Sequence, residues 1–256
     1  MAARALLYAE RDARVWRRLW RGTVFSGLAM PIMFLGAMGV GLGGLVDERS
    51  GSVQGLDYLT FVAPGLLAAG AMQNAAGAAL WQVMAGHKWL RVFDAAVSTP
   101  LRPADVYGGY LIWTSTWALM MAVPFVLVAA LLGAVPSPWG VLAVPVAGLC
   151  ALSFTAPLAA FSATQDSDAS FPIIIRLIVL PLFMFSGTFF PVENLPSGVR
   201  PVAWVTPLWH AVELARGATT GSIGAGAALL HLAYLVALIA VATAWGVRTF
   251  TRRLTP

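Results

Sequence analysis

Residues 224–247 read Gly-Ala-Gly-Ala-Ala-Leu-Leu-His-Leu-Ala-Tyr-Leu-Val-Ala-Leu-Ile-Ala-Val-Ala-Thr-Ala-Trp-Gly-Val, without one Asp, Glu, Lys or Arg. An α-helix rises 1.5 Å per residue, so about 20 apolar residues cross a hydrocarbon core of roughly 30 Å. This stretch is long enough. Five others read the same way, at roughly 22–46, 59–82, 106–133, 139–162 and 172–190. Six such stretches predict an all-α, polytopic membrane protein with six transmembrane helices. Composition agrees, with 59% hydrophobic and only 11% charged residues, where soluble domains carry about 25% charged residues. Repeats and low-complexity linkers are missing, so residues 1–256 are taken as one membrane domain.

Orientation follows from where Lys and Arg fall between the spans. The N-terminal segment holds Arg4, Arg11, Arg14, Arg17, Arg18 and Arg21. The loop after the second span holds Lys88, Arg91 and Arg102, and the tail Arg248, Arg252 and Arg253. The other side holds Arg49, Arg200 and Arg216. Both termini are therefore expected in the cytoplasm, which six spans permit. The Arg-rich, Trp-containing leader is too extended for a cleaved signal peptide. Within it, residues 5–20 are amphipathic. Leu6, Tyr8, Ala9, Ala13, Val15, Trp16, Leu19 and Trp20 occupy one half of a helical wheel, and the arginines crowd the other. That pattern predicts an interfacial helix with Arg toward anionic lipid.

Several chemistries lack their residues. Lys88 is the only lysine and is followed by Trp89, so no Gly-rich loop ending in Lys-Ser/Thr can hold nucleotide phosphates. Cys150 is the sole cysteine, and no His/Asp/Glu cluster has metal-ligand spacing. Mid-membrane ionisable groups mark ion paths, and His231 is the one well inside an apolar run. It reads first as hydrogen-bonded to a neighbouring helix. Gln73 and Asn74 on the second span and Thr114 on the third are polar but uncharged, and are candidates for lining a substrate path. Pro31, Pro64, Pro124, Pro145, Pro157 and Pro181 read as packing kinks, and Gly36, Gly39 and Gly43 as a face for close helix contact. Ser186-Gly187 lacks the preceding Gly of an intramembrane serine protease.

Two non-spanning segments are unusually rich. Residues 83–105 mix apolar and charged groups. Trp89, Val92, Phe93 and Ala96 suggest a short helix, Ser98-Thr99-Pro100 a stop, and Pro103-Ala104-Asp105 a new start. A plain connector needs only a few polar residues, so this loop reads as a docking helix for a cytoplasmic partner. Residues 187–221 are too apolar for a free loop, and predict short helices dipping into the outer leaflet. One covers 208–216, started by Thr206-Pro207 and stopped by Gly217. His210, Glu213 and Arg216 recur every third residue and can meet along one side.

Four stretches, in order, resemble one family. They are Phe61-Val62-Ala63-Pro64-Gly65-Leu66-Leu67; Phe93-Asp94 with Ser98-Thr99-Pro100-Leu101; Phe185-Ser186-Gly187-Thr188-Phe189-Phe190-Pro191; and Pro207-Leu208-Trp209-His210-Ala211-Val212-Glu213 with Arg216. They look like the ABC-2 type permeases, particularly the nodulation lipo-oligosaccharide and daunorubicin-resistance exporter branch. The resemblance implies an N-terminal elbow helix, a coupling helix in the 2–3 loop and re-entrant helices before the sixth span. It implies a pair of permease copies in the bacterial cytoplasmic membrane. Each would dock on a separate nucleotide-binding ATPase subunit that carries ATP and Mg, with no cofactor, catalytic residue or nucleic acid assigned to this chain. Coupling would fall to Trp89, Val92, Phe93, Asp94, Ser98, Thr99 and Pro100. The outer gate would be Ser186, Gly187, Phe189, Phe190, Pro191, His210, Glu213 and Arg216. Residues 47–57 are shorter than the first external loop of many drug exporters, which favours the lipo-oligosaccharide-like branch. A secondary transporter, an intramembrane enzyme and a membrane scaffold stay open as alternatives.

Overall fold

The computed structural model describes residues 2–37, 41 and 52–255. The end of the expected first span with Gly39 and Gly43, and Arg49 beyond it, lie outside the described residues. Nine helices organise the described chain: α1 (Ala2–Leu35), α2 (Tyr58–Gly77), α3 (Val92–Val97), α4 (Pro103–Leu131), α5 (Ala143–Ser162), α6 (Phe171–Phe185), α7 (Arg200–Trp204), α8 (Pro207–Thr220) and α9 (Ala225–Leu254). A 3-10 turn, Pro138–Leu142, leads into α5. Among the described residues the architecture is all-α.

Among the described residues, three helical stretches are long and apolar enough to cross a membrane: Pro103–Leu131, Pro138–Ser162 and Ala225–Leu254. They match the expected spans at 106–133, 139–162 and 224–247. α2 stays helical to residue 89 through π-helical turns at Ala78–Gln82 and Ala85–Trp89. A π turn disturbs the regular hydrogen-bond ladder, and Ser162 Oγ on α5 donates to the Leu80 carbonyl at 2.8 Å.

Three expectations change. The interfacial helix and the start of the first span form one unbroken helix through Arg21 and Gly22. A lone Gly costs a helix only about 1 kcal/mol, too little to end it. The expected fifth span at 172–190 stops at Phe185. Its 15 residues reach roughly 22 Å, short of a full hydrocarbon core. Finally, the helix expected at 208–216 runs on to Thr220. Gly217 lies inside it, and Gly221, in the left-handed region at φ 73°, ends it. The start was read correctly, since Thr206 Oγ1 caps the Trp209 N–H.

Packing sets up two ends. At one, Tyr8, Phe93, Tyr107, Tyr110 and Phe250 share an apolar cluster. At the other, α8 is enclosed by α2, α5 and α9 with most of its residues buried. Large side chains on α4, α6 and α9, among them Leu131, Leu177 and Val241, face outward. Outward apolar faces around a small-residue interior, rich in Ala68, Ala69, Ala147 and Ala151, fit helices packed closely in lipid.

Candidate functional site

A half-open groove of about 840 Å³ runs between α2 and α4, with Phe34 of α1 and Phe183 of α6 at its margins. Its walls are mostly Leu, Ala and Gly, with the indoles of Trp113 and Trp117 on α4. Into it project Gln73, Asn74, Gln82 and Thr114. The structure therefore brings together all three residues expected along a path, and adds Gln82 with the two tryptophans. Thr114 turns back on the Tyr110 carbonyl at 2.9 Å. Asn74 is exposed, and its Nδ2 donates to Gly70 O at 2.9 Å. Gln73 and Gln82 are exposed. Exposed amides on a helix otherwise fit for lipid need water, a partner or a cargo to satisfy them.

The α8 end closes on Arg216. Although charged, it is only 6% exposed. Its Nη1 donates to Glu213 Oε1 at 2.8 Å, Nη2 to Gly187 O at 2.6 Å and Nε to Phe61 O at 3.3 Å. The guanidinium also lies 3.9 Å from the centre of the Phe61 ring. One planar fork thus ties α8 to α2 and to the loop after α6. Two glycines admit this approach. Gly187 adopts φ 79°, where side chains are strained. A Cβ on Gly65 would stand 2.8 Å from Thr188 O, so α2 meets the loop backbone directly. Phe189 packs edge-on against Phe183 at 5.0 Å, and Phe190 joins a small cluster of Val192, Leu195, Ala203 and Trp209 behind the buried Pro191. Ser186 Oγ and Thr206 Oγ1 share a hydrogen bond of 3.1 Å. Glu213 and Arg216 meet as their spacing allows, but His210 turns away. Its Nδ1 lies 2.8 Å from Nδ1 of His231, and its ring stacks on Tyr234 at 3.8 Å.

At the α3 end the expected docking residues divide by exposure. Trp89 is 55% exposed, and Asp94, Ser98, Thr99 and Pro100 are open as well. Lys88, Leu90 and Arg91 extend that surface. Phe93 is 3% exposed and points inward, with Val92 half-buried beside it. Sequence periodicity placed both on the apolar side of a short helix but does not say whether that side faces a partner or the protein's own interior. Just beneath, His87 is buried. Burial, followed by the charge of Arg253, holds its pKa below the ordinary imidazole range. Arg253 pairs with Asp166 at 2.9 Å, joining the end of α9 to the loop after α5.

Apolar helices of spanning length, turned outward around a mainly apolar groove with a few amide and indole groups set into it, define an integral membrane protein. The chain belongs to the ABC-2 type transporter family, whose model matches residues 7–219. It is 30% identical over 226 residues to Nodulation protein J of Sinorhizobium fredii (strain NBRC 101917 / NGR234), covering 88% of this chain and 84% of that one. It is 29% identical over 247 residues to Nodulation protein J of Rhizobium leguminosarum bv. viciae, covering 96% and 93%. A third relative, Nodulation protein J of Rhizobium meliloti (strain 1021), is 28% identical over 213 residues, covering 83% and 80%. Members of this family are transport components rather than catalysts on their own.

Proposed function

We propose that this chain is the membrane-spanning subunit of an ATP-binding-cassette exporter that moves an amphipathic, lipid-linked or drug-like cargo outward. The observation that carries the reading is the groove, a mainly apolar trough with amide and indole groups set into it. An acyl or other apolar moiety matches its Leu and Ala walls, while a neutral polar headgroup matches Gln73, Asn74 and Gln82. In this reading the six-span layout holds, both termini are cytoplasmic and two copies pair to enclose the path. A separate ATPase subunit, which carries ATP and Mg, docks on the exposed surface of Trp89, Asp94, Ser98, Thr99 and Pro100. The Arg216 clamp with Ser186 to Pro191 forms the outer closure.

The test is co-purification of the tagged chain from its native membrane, followed by reconstitution in proteoliposomes with whatever ATPase accompanies it. A fluorescent acylated oligosaccharide and an amphipathic cationic drug serve as probes. The expected result is ATP-dependent movement of at least one probe, and weakened ATPase retention in Trp89→Ala and Asp94→Arg. Well-folded chain that retains no ATPase, or that moves neither probe with ATP, overturns the reading.

A further inference from the structure

Three aromatic rings at the α3 end each rest on a glycine. A Cβ added at Gly86 would overlap the ring of Phe93, one at Gly246 the ring of Tyr107, and one at Gly109 the Ala5 carbonyl and then the base of the Tyr8 side chain. These glycines belong to the extension of α2, to α9 and to α4, so each ring bridges two elements through a surface that no other residue type would leave open. The rings also touch one another in series. Tyr8 and Phe93 lie 6.3 Å apart between centroids, Phe93 and Phe250 5.6 Å, and Phe250 and Tyr107 4.8 Å. Tyr107 ends the series by donating its hydroxyl to the Ala156 carbonyl at 2.9 Å. One continuous contact thus runs from α3 to α1, α9, α4 and α5.

Besides Phe93, α3 is held by Val92, Ala96 and Val97, which pack half-buried against the same cluster. It has six residues, is entered through Arg91 at φ 49°, and leaves by an exposed turn at Ser98 and Thr99. Phe93 is its only fully buried side chain. Without that ring, a load on α3 would reach the bundle only through these half-buried side chains. With the ring seated, close-packed contacts transmit displacement instead of yielding.

We infer that Phe93 is a positioning residue, a peg in the Gly86 notch that makes α3 move as one body with the start of α1 and the end of α9. The inference rests on the docking reading above and assigns to Phe93 a role apart from contact with the ATPase. A purely structural role would need only apolar volume, which Leu supplies. The linkage needs the flat ring on the glycine.

The experiment uses the complex of the chain with its co-purified ATPase in nanodiscs, with nitroxide labels at Ala95→Cys and Thr251→Cys. Both positions are exposed, and the native Cys150 is buried. The label distance should be the same without nucleotide and after trapping with ATP and vanadate. In Phe93→Leu the ATPase should stay bound at a normal thermal midpoint, but trapping should shift or broaden the distance. Export of the fluorescent acylated oligosaccharide per ATP should then drop about fivefold or more, the lower end of typical coupling between sites. Phe93→Tyr, which keeps the ring, should restore much of it. The inference falls if the unsubstituted pair already changes distance on trapping. It falls too if Phe93→Leu behaves as the parent, or if Phe93→Leu releases the ATPase while staying folded, which would make the ring a docking contact. Should Phe93→Leu not fold, Gly86→Ala displaces the ring from the other side, and the measurement on the parent pair still decides. A parent chain that brings down no ATPase overturns the docking reading and takes this inference with it.

Discussion

Arg216 does at one position what no local pattern announces. Its charge is buried, yet its three nitrogens donate to Phe61 O, Glu213 and Gly187 O, and the Phe61 ring lies against the guanidinium. Only the Glu213 partner, three residues away on the same helix, was legible in the sequence. The others lie 29 and 155 residues distant, and spacing carries no information about them. Removing the guanidinium leaves the Gly187 and Phe61 carbonyls without its donors, while Glu213, 36% exposed, can turn to water. Arg216→Leu is therefore expected to cost about 2 kcal/mol of stability, measured by denaturant titration in detergent. Arg216→Lys should fall between, because one ammonium cannot reach carbonyls on two elements in a fixed fork. Equal stability of Arg216→Leu and the parent would show that the clamp contributes nothing. His87 offers a second test at this scale. Burial and Arg253 lower its pKa from the ordinary 6.5, with the Val83 carbonyl, Gln165 backbone and Asp94 opposing. Below that pH the unfolded chain binds a proton that the folded chain resists. Stability is then complete above about pH 6.5 and declines as pH falls through the range beneath it. His87→Gln should flatten the thermal midpoint between pH 7.5 and 5.5, and an unchanged slope would remove His87 as the cause. The same blindness to distance hid His231's partner: a hydrogen bond was expected, but its pairing with His210 depends on how α8 folds back on α9.

Elements were more legible than their partners, because length and apolarity are properties of a segment by itself. The starts at Pro103 and Pro207 were readable from proline and capping residues, and the structure places Asp105 Oδ2 on the Arg102 N–H at 3.1 Å. Ends were harder. Ser186 to Pro191 is apolar enough to extend α6 on paper, but Gly187 turns the chain so that its carbonyl meets Arg216. Gly217 resembles a helix stop, yet the left-handed turn that stops α8 is at Gly221. The π turns of α2 left no sequence signal at all. They belong to the same stretch of helix that presents Gln73, Asn74 and Gln82, and the function of that face can be separated from its stability. Gln73 and Asn74 are exposed, and substitutions at such positions usually change stability by no more than about 0.5 kcal/mol. A double Gln73→Leu, Asn74→Leu variant should therefore fold as the parent and retain its ATPase. Its export of the fluorescent acylated oligosaccharide should fall by about tenfold, corresponding to about 1.4 kcal/mol of lost headgroup binding. Parent-level export would take these amides out of the path.

For the whole molecule, the decisive distinction is which exposed surfaces meet lipid and which meet water. Val241 on α9 and Gln73 on α2 both lie on the outside of the packed helices, and position alone does not tell acyl chains from water. Chemistry does. Val241 lies on an outward face with Leu229, Leu230 and Val236, which lipid tails can satisfy. Gln73 lies with other amides in the groove, and a lipid-filled groove would offer the exposed amides of Gln73 and Gln82 nothing to hydrogen-bond with. A transport path must also admit a polar headgroup, so water should reach it in at least one state. In membranes, Gln73→Cys should react with a charged maleimide several-fold faster than Val241→Cys, with buried Cys150 as a silent background. Trapping the complex with ATP and vanadate should change the Gln73→Cys rate and leave the Val241→Cys rate alone, because only the groove changes its access during transport. Equal, slow labelling at both positions would mean that lipid or a second copy fills the groove throughout. The path would then have to lie elsewhere between the helices.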